Sequence, residues 1–553
     1  MSKKKKHTTG QASAQKSAPA AIQSAPRPKA SGYSDAGASR TRRSLKGFTS
    51  VSSSPQEDID LNNYTLRQRS RMLYMSSSMA TSAIQVNRTK VVGTGLVLKS
   101  AVNRDVLGLS AEEAKTWQRN TEAEFNLWAK NRQNCDALGL NNFAGLQQLA
   151  LKSWLMSGDV FALLKRKPAT PLNPYTLRIH LIEADRVSTP KAFGGILMTT
   201  EGVIPEGHPG AGHKIHDGVE VDDDGAVVAY WICDQYPSQR FMGKTKKWTR
   251  VLATGEKTGL PNILHIMDSE RPDQYRGVPY LAPVIETILQ YRRYTESELT
   301  AALIQSFFTA WIKTTAPKNE LPFNEVGAGD VAGIPSANPT EENISHSPNE
   351  YEMGPGVINV LGQDEDVEFG SPNIPTSGFD IFTKAIARQA GAALEIPYDV
   401  LLKEFNSSYS ASRGALLEAW EAFRMRRSWF VDAFNQPTYE TWLAEAVAIG
   451  RIKAPGFWDD PLVRAAWCGA NWIGPTQGSL DPLKEAKADL MLASRGIKTY
   501  EQVTRERSGG SWFENVEQLK KENELLAEAG GVIGSDADSE DEDDITQAQQ
   551  NGN

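Results

Sequence analysis

The stretch "RPDQYRGVPYLAPV", residues 271–284, lies between an apolar segment ("ILHI") and a long apolar run. Charged and amide side chains are dense in its first half, and a glycine and a proline follow them closely. Gly277 permits a tight turn, and Pro279 suits the first turn of a helix because its missing N–H is not needed there. We therefore predict a corner between a strand and a helix that continues to about Ile312. The residues predicted to brace this corner are Arg271, Asp273 and Arg276.

Length and composition indicate a globular protein of more than one domain. A chain of 553 residues exceeds what one hydrophobic core usually organises, so about two to four domains are expected. Hydrophobic residues make up 40% and charged residues 23%, which is typical of soluble globular proteins. Cys135, Cys233 and Cys468 are odd in number and far apart, which argues against a disulfide framework and against a cysteine zinc site.

Charge is concentrated at the two ends of the chain. Four consecutive lysines occupy residues 3–6, whereas "DADSEDEDD", residues 536–544, is acidic. Both ends are poor in large apolar residues, so we predict disordered tails. Two interpretations stay open: solvated tails without a partner, or a basic arm that contacts nucleic acid or an acidic partner. The most apolar run, residues 299–312, is too short to span a bilayer, which predicts no membrane segment.

No sequence motif predicts catalysis. "GKT" at residues 243–245 lacks the upstream glycine of a phosphate-binding loop, and neither H-E-x-x-H nor G-x-S-x-G occurs. His208, His213 and His216 could bind zinc together with nearby carboxylates, but a glycine-rich segment without helical spacing favours a surface loop. A catalytic triad assembled from distant segments stays open. We predict no catalytic, cofactor-binding or metal-binding residues, and no cofactor.

Local patterns predict several elements. Three pairs have the spacing of capping boxes at helix starts: Ser110 with Glu113, Thr499 with Gln502, and Ser511 with Glu514. Alternating apolar residues flank the three aspartates at residues 222–224, which predicts a β-hairpin with the aspartates at its turn.

Several longer words, in order along the chain, resemble the portal proteins of tailed bacteriophages in the lambda-like family. "FNLWAKNRQNCDALGLNNFAGLQQLALKSWLMSGDVFALL" resembles the family's N-terminal wing segment, and "HLIEADRV" resembles one of its strands. The opening stretch matches the family word R-P-x-Q-x-R-G-V-P-x-L-A-P residue for residue. "YSASRGALLEAW", "YETWLAEAVAIGRI" and "DPLKEAKADL" resemble later words. The resemblance covers roughly residues 62–530 and is weakest in the basic N-terminal tail and in residues 313–375.

The resemblance implies an α+β, mainly helical portal fold with a wing, a stem, a clip and a crown, assembled as a ring around a central channel. A tunnel loop is expected to project into that channel, with side chains that do not enter a closed core. The implied segments are a disordered basic tail (1–57), the wing (58–267), the junction and first stem helix (268–312), the clip (313–375), the second stem helix (376–395), the tunnel loop (396–410), the crown (411–530) and a disordered acidic tail (531–553).

The same resemblance implies the residues of two functional sites. The expected channel residues are Lys384, Arg388, Lys403, Glu404, Asn406, Ser407, Ser408 and Tyr409. The expected clip residues for terminase docking are Asp364, Glu365, Asp366 and Glu368. The mixed charges of the tunnel loop predict weak contact with DNA that does not read bases. Lys384 and Arg388 are four residues apart, so they could equally be an ordinary solvated helix face.

The implied function is a ring at one capsid vertex, through which a terminase packages double-stranded DNA and through which the DNA later leaves. The implied partners are other copies of the chain in a ring of twelve, double-stranded DNA bound without sequence specificity, the terminase large subunit, head-completion or neck proteins, and the major capsid and scaffolding proteins, with no membrane. The implied location is the virion, after assembly in the host bacterial cytoplasm. Two alternatives remain: another head-to-tail connector or adaptor ring, and a DNA-processing enzyme.

Overall fold

The computed structural model describes residues 38, 43–48, 51–193, 196–197, 202–236, 246–306, 310–313, 358–361, 378–404, 409–478 and 482–528. The chain forms two units, Met1–Ser54 and Pro55–Asn553. The described part of the first unit includes one short 3-10 turn, Arg43–Leu45, in which no residue is buried. All further elements belong to the second unit.

The second unit is mainly helical. Its α-helices are α1 (Leu61–Ser76), α2 (Ser78–Asn87), α3 (Arg104–Leu107), α4 (Ala111–Lys130), α5 (Arg132–Cys135), α6 (Phe143–Ser157), α7 (Ile285–Ser306), α8 (Phe379–Ala393), α9 (Tyr398–Leu402), α10 (Tyr409–Phe430), α11 (Gln436–Ala448), α12 (Pro461–Trp467), α13 (Pro482–Ser494), α14 (Tyr500–Ser508) and α15 (Trp512–Glu528). Single π-helical turns at Gln56–Asp60, Arg88–Val92 and Val431–Asn435 adjoin these helices. Among the described helices, none combines the length and the apolar character needed to cross a bilayer.

The strands form small, mostly antiparallel sheets. They are β1 (Val97–Ser100), β2 (Asp159–Arg166), β3 (Leu177–Glu183), β4 (Ala192–Phe193), β5 (Ile196–Leu197), β6 (Lys214–His216), β7 (Val219–Val221), β8 (Val227–Cys233), β9 (Trp248–Leu252), β10 (Ile263–Met267), β11 (Ala310–Lys313), β12 (Ile358–Leu361) and β13 (Ala470–Ile473). The order β6-β7-β8-β9 makes an antiparallel meander, and β2 lies between β10 and β3. β11 and β12 pair in parallel.

The main core joins segments that are far apart in sequence. The rings of Phe125 in α4 and Trp442 in α11 lie 5.0 Å apart, and Phe143 in α6 stacks on Phe434 at 5.7 Å. Strand β1 pairs with β13. The part of the predicted crown that ends with β13 therefore shares a core with the predicted wing. The later helices α13, α14 and α15 contain no buried residue. The assignment of residues 411–530 to a crown stays a prediction.

Most of the local sequence signals are confirmed. Two predicted capping boxes form, one at the start of α4 and one at the start of α14. β7 and β8 form the predicted hairpin, in which Asp222 Oδ1 accepts hydrogen bonds from the backbone N–H groups of Asp224 (3.1 Å) and Ala226 (2.8 Å). The third predicted box is wrong, because Ser511 Oγ donates to Glu501 Oε2 at 3.4 Å and Glu514 Oε1 accepts from Lys99 Nζ at 2.9 Å.

The predicted helix from Pro279 to about Ile312 is wrong at both ends. α7 begins at Ile285, after a 3-10 turn at Ala282–Val284, and it ends at Ser306 before β11. The backbone after Pro279 is engaged elsewhere: the Tyr280 N–H donates to the Leu155 carbonyl of α6 at 2.9 Å. The Pro279 carbonyl accepts from the Ala282 N–H at 2.8 Å, which makes a turn and not the first turn of the long helix.

Candidate channel segment and the junction beside it

Arg276, from the stretch at residues 271–284, is the centre of a buried charge cluster. Its side chain is fully buried, and Nε donates to Asp159 Oδ2 at 2.6 Å. Nη1 donates to Asp217 Oδ2 at 2.7 Å, and Nη2 donates to the Ala184 carbonyl at 2.9 Å. The guanidinium thus binds the first residue of β2, the turn between β6 and β7, and the end of β3. Arg276 therefore connects three segments that are distant from it in sequence.

Further charges surround this centre. Arg67 of α1 lies 3.2 Å from Asp217 and 3.7 Å from Asp185. Burial alone would raise the pKa of Asp159, but Arg276 and Arg67 outweigh it and hold that pKa well below its usual range. Burial, followed by the neighbouring Asp217, raises the pKa of the Asp60 carboxyl to about 6. Asp159 therefore stays ionised as the counter-charge of the two arginines.

The outer part of the stretch is fixed by the chain that precedes α1. Arg271 Nη1 lies 2.5 Å from Asp58 Oδ2, at the surface. The carbonyl of Asp273, a residue with φ of 59°, accepts from Gln56 Nε2 at 2.7 Å. Gln274 closes the turn itself, because its Oε1 accepts from the Arg271 N–H at 3.0 Å and its Nε2 donates to the Arg276 carbonyl at 2.8 Å. The sequence prediction omitted Gln274.

Gly277 lies where two backbone segments nearly touch. A Cβ placed on Gly277 would lie 1.9 Å from the carbonyl oxygen of Gly158, and a Cβ on Gly158 would lie 2.3 Å from that of Gly277. Gly277 itself has no left-handed φ, so close approach, and not turn geometry, is what requires glycine there. Its carbonyl also accepts a hydrogen bond from Asn63 Nδ2 at 2.8 Å.

The predicted channel cations differ in their surroundings. Lys384 of α8 has its Nζ 3.0 Å from Asp380 and 3.1 Å from Glu404, and hydrogen bonds to these two carboxylates raise its pKa. Arg388, one helical turn later, is exposed and lies with its guanidinium 4.8 Å from the ring centre of Tyr398. Two acids therefore offset Lys384, whereas Arg388 presents its charge at the surface.

The first part of the expected tunnel loop is helical and partly buried. Tyr398–Leu402 forms α9, in which Asp399 and Leu401 are buried. The Leu401 carbonyl accepts from Ser82 Oγ of α2 at 2.6 Å. Lys403 follows this helix with φ of 58°, and the Glu404 carboxylate lies 3.1 Å from Lys384 Nζ. The assignment of residues 396–410 to a tunnel loop stays a prediction.

Several predicted site residues lie outside the described residues. These are Asn406, Ser407, Ser408, the side chain of Tyr409, and the clip residues Asp364, Glu365, Asp366 and Glu368. Of the histidines, His213 Nδ1 lies 2.8 Å from the buried Glu220 and His216 stacks on Tyr275. Over the described ranges, no group of three or more His, Cys, Asp or Glu residues could hold a metal ion.

Comparison with known proteins identifies the family. Residues 41–427 match the sequence model of the phage portal protein, lambda family. The chain belongs to this family of phage portal proteins. Portal protein B of Escherichia phage lambda is 22% identical over 498 residues, which cover 86% of this chain and 87% of that protein. The portal protein of Escherichia phage N15 is 22% identical over 505 residues, covering 88% of this chain and 89% of that protein.

A solved structure is also similar. The neck of a native gene transfer agent (GTA) particle, computed with C12 symmetry, covers 80% of this chain and 92% of its own chain, at 13% identity and a TM-score of 0.35. The family match confirms the resemblance seen in the sequence and the fold class expected from it. A phage portal protein is a structural component of the virion, so the prediction that the chain is not an enzyme is confirmed as well.

Proposed function

We propose that copies of this chain form a ring of twelve at one vertex of a phage capsid, through which double-stranded DNA enters and later leaves. The observation that carries the proposal is the family match over residues 41–427, together with relatives that align along most of their own length. The ring is assembled in the host bacterial cytoplasm and remains in the virion. A separate terminase would drive the DNA through the ring.

The charges of the predicted channel residues that the structure describes support weak binding of DNA, which lets the DNA slide through the ring. A protein that neutralises many phosphates holds DNA firmly, since each contact releases counterions. Here the whole chain has a net charge of −7, and Lys384 is shared between Asp380 and Glu404. Such a surface would contact the DNA backbone weakly and leave it free to slide. Among the predicted channel residues that the structure describes, Arg388 and Lys403 are the exposed cations that remain for phosphate contact.

We assign the other partners to segments of the chain from the resemblance to portal proteins seen in the sequence. The clip, residues 313–375, would bind the terminase large subunit and later the head-completion or neck proteins, through its acidic residues Asp364, Glu365, Asp366 and Glu368. The predicted wing and crown would contact the capsid and scaffolding proteins. These assignments rest on the family alone.

Electron microscopy of the purified protein tests the proposal. We expect rings with a central hole wide enough for a DNA duplex. A second specimen, capsids isolated before DNA enters, separates a portal from an adaptor ring. A portal must be present while DNA is packaged, whereas an adaptor can join later. Purified protein that stays monomeric, or empty capsids that lack this chain, would contradict the proposed function.

Arg388→Glu should reduce the length of DNA retained in assembled particles, because each copy then repels phosphate where it formerly attracted it. The effect should weaken as salt rises, since exposed charges are screened over about 10 Å at 0.1 M. Folding should lose no more than about 1 kcal/mol, the value of an exposed cation–π contact such as the one with Tyr398. Packaged DNA length is the measurement, and Arg388→Lys, which keeps the charge, is the control. Full-length DNA in the glutamate variant would show that Arg388 does not face the channel.

A further inference from the structure

Helix α1 buries mostly polar side chains and exposes several large apolar ones. The residues it buries are Asn63, Arg67, Ser70 and Leu73. Four of its large apolar side chains are exposed instead: Leu61 (79%), Tyr64 (46%), Met72 (64%) and Met75 (78%). A surface helix normally turns its apolar face to the core and its polar face to water. The exposed apolar side chains of α1 therefore suggest that another surface covers them.

The four exposed side chains lie on one face of α1 as two pairs, with Gln68 between the pairs. The five positions follow the three- and four-residue spacing that places side chains on one face of a helix. We call Leu61, Tyr64, Met72 and Met75 the α1 stripe. A contiguous exposed apolar patch of several hundred Å², rather than scattered single residues, marks an interaction site. Two of the four are methionines, whose flexible side chains adapt to a partner surface.

The stripe is held rigidly by the opposite face of the same helix. Asn63 donates to the Gly277 carbonyl at 2.8 Å, and Arg67 lies 3.2 Å from Asp217 in the buried charge cluster. Arg71 binds Ser157 Oγ at 3.0 Å and pairs with Asp185. Polar anchors on one side thus fix the position of apolar groups on the other. A preorganised surface of this kind loses little conformational entropy when it binds.

We propose that the α1 stripe is a contact surface between neighbouring copies of this chain in the ring. The inference rests on the proposed function, because a closed ring requires each copy to present two different surfaces to its two neighbours. A cleft of about 880 Å³ elsewhere on the chain could serve as the other half. Its lining includes the exposed side chains of Leu127 (46%) and Leu140 (68%) among polar ones, which are Asn126, Lys130, Asn131, Arg132, Asn141 and Asn142.

Other occupants fit the stripe less well. Helices that lie on a membrane display several lysines and arginines on their polar face, whereas the exposed polar residues of α1 (Asn62, Thr65, Gln68, Arg69 and Ser76) include a single cation. DNA needs cations, and the stripe contains none. The chain's own ends offer little apolar surface; their large apolar residues after Met1 are Ile22, Tyr33, Leu45, Phe48 and Val51 before residue 55, and Val532, Ile533 and Ile545 after residue 528.

The double variant Met72→Glu/Met75→Glu tests the contact. Both side chains are exposed in the subunit, so its thermal unfolding should stay close to that of the wild type. Placing unpaired charges in an apolar contact costs several kcal/mol, and each 1.4 kcal/mol is a factor of ten, so the fraction of subunits in rings should fall at least about tenfold. Leu172→Glu is the matched control, since Leu172 is 91% exposed outside the stripe. Mass photometry at equal subunit concentration counts rings and monomers.

Thiol labelling gives an independent measurement. Cys135, Cys233 and Cys468 are all buried, so a maleimide added to Met75→Cys reports on the new thiol. We expect Met75→Cys to label at least about tenfold more slowly in rings than in monomers, and Leu172→Cys to label equally in both. Slow labelling of Met75→Cys in monomers would show that the chain covers its own stripe, which overturns the inference.

Two failures are distinguishable. Wild-type protein that never forms rings would overturn the proposed function and the inference with it. Rings that persist with both glutamates, or that label Met75→Cys as fast as monomers do, would overturn the inference alone and leave the proposed function intact.

Discussion

Replacing Arg276 by leucine is expected to lower the free energy of unfolding by about 3–5 kcal/mol, the usual cost of leaving one member of a buried ion pair without its partner. Asp159 would keep its charge in a site with no exposed side-chain area and lose the donor now 2.6 Å away. The carbonyls of Val187 and Ala184 would lose donors as well. Denaturant unfolding, followed by circular dichroism, measures the loss.

Arg271→Leu is the matched control, since it removes the other arginine of the same stretch. Arg271 pairs with Asp58, but the two side chains are 40% and 51% exposed. Exposed pairs contribute about 0–1 kcal/mol, because water solvates the charges in both states. The Arg276 variant should therefore lose several times more stability than the Arg271 variant. Equal losses would show that burial of the Arg276 cluster contributes nothing specific to the junction.

This contrast shows what the sequence could and could not predict at the junction. The stretch at residues 271–284 was predicted from its local composition to connect a strand to a helix, and it lies between β10 and α7. The partners of Arg276 were not predictable, since Asp159 and Asp217 lie 117 and 59 positions away. Asp273 was chosen as a partner because it is near in sequence, yet its described contact is made by its carbonyl group. The two arginines differ in burial, since Arg276 is fully buried and Arg271 is 40% exposed. Burial depends on the whole fold and cannot be read from the local sequence.

Helix ends show the same division. Capping boxes at Ser110 and Thr499 were predictable, because the capping side chain and its target are three residues apart. The start of α7 was not, because the Pro279 carbonyl accepts from the Ala282 N–H and a 3-10 turn at Ala282–Val284 precedes the helix. A proline permits a helix start without imposing one.

The family resemblance assigns a role to residues 396–410 but does not predict their secondary structure or their packing. Residues 396–410 were expected to form a projecting loop, but Asp399 and Leu401 are buried in α9 against α2. The charged side chains Lys384 and Glu404, predicted separately as channel residues, bind each other at 3.1 Å. Their charges can be read from the sequence, while only the fold shows that these charges offset one another.

Adding one methyl group at Gly277 should be among the most damaging substitutions in the chain. The new Cβ would lie 1.9 Å from the Gly158 carbonyl oxygen, a backbone atom that cannot rotate away. Overpacking of this kind usually costs about 1–3 kcal/mol. Here the two segments must also separate, which breaks the hydrogen bond from the Gly277 N–H to Asp159 Oδ2 (3.2 Å) and loosens the Arg276 pair beside it. We expect Gly277→Ala to lose at least about 3 kcal/mol, a large part of a typical stability of 5–15 kcal/mol.

Gly259→Ala and Gly158→Ala separate crowding from backbone strain. Gly259 has φ of +64°, and no atom lies within 4 Å of the place that a Cβ would take, so its alanine variant should lose only about 1–2 kcal/mol, the strain of a left-handed residue. Gly158 has φ of +87° and the close contact with Gly277, so it should lose the most. Soluble yield and denaturant midpoints give the ranking Gly158, then Gly277, then Gly259. If Gly277→Ala proved as mild as Gly259→Ala, the two backbones could move apart at little cost, and the junction would be a flexible joint instead of a fixed corner.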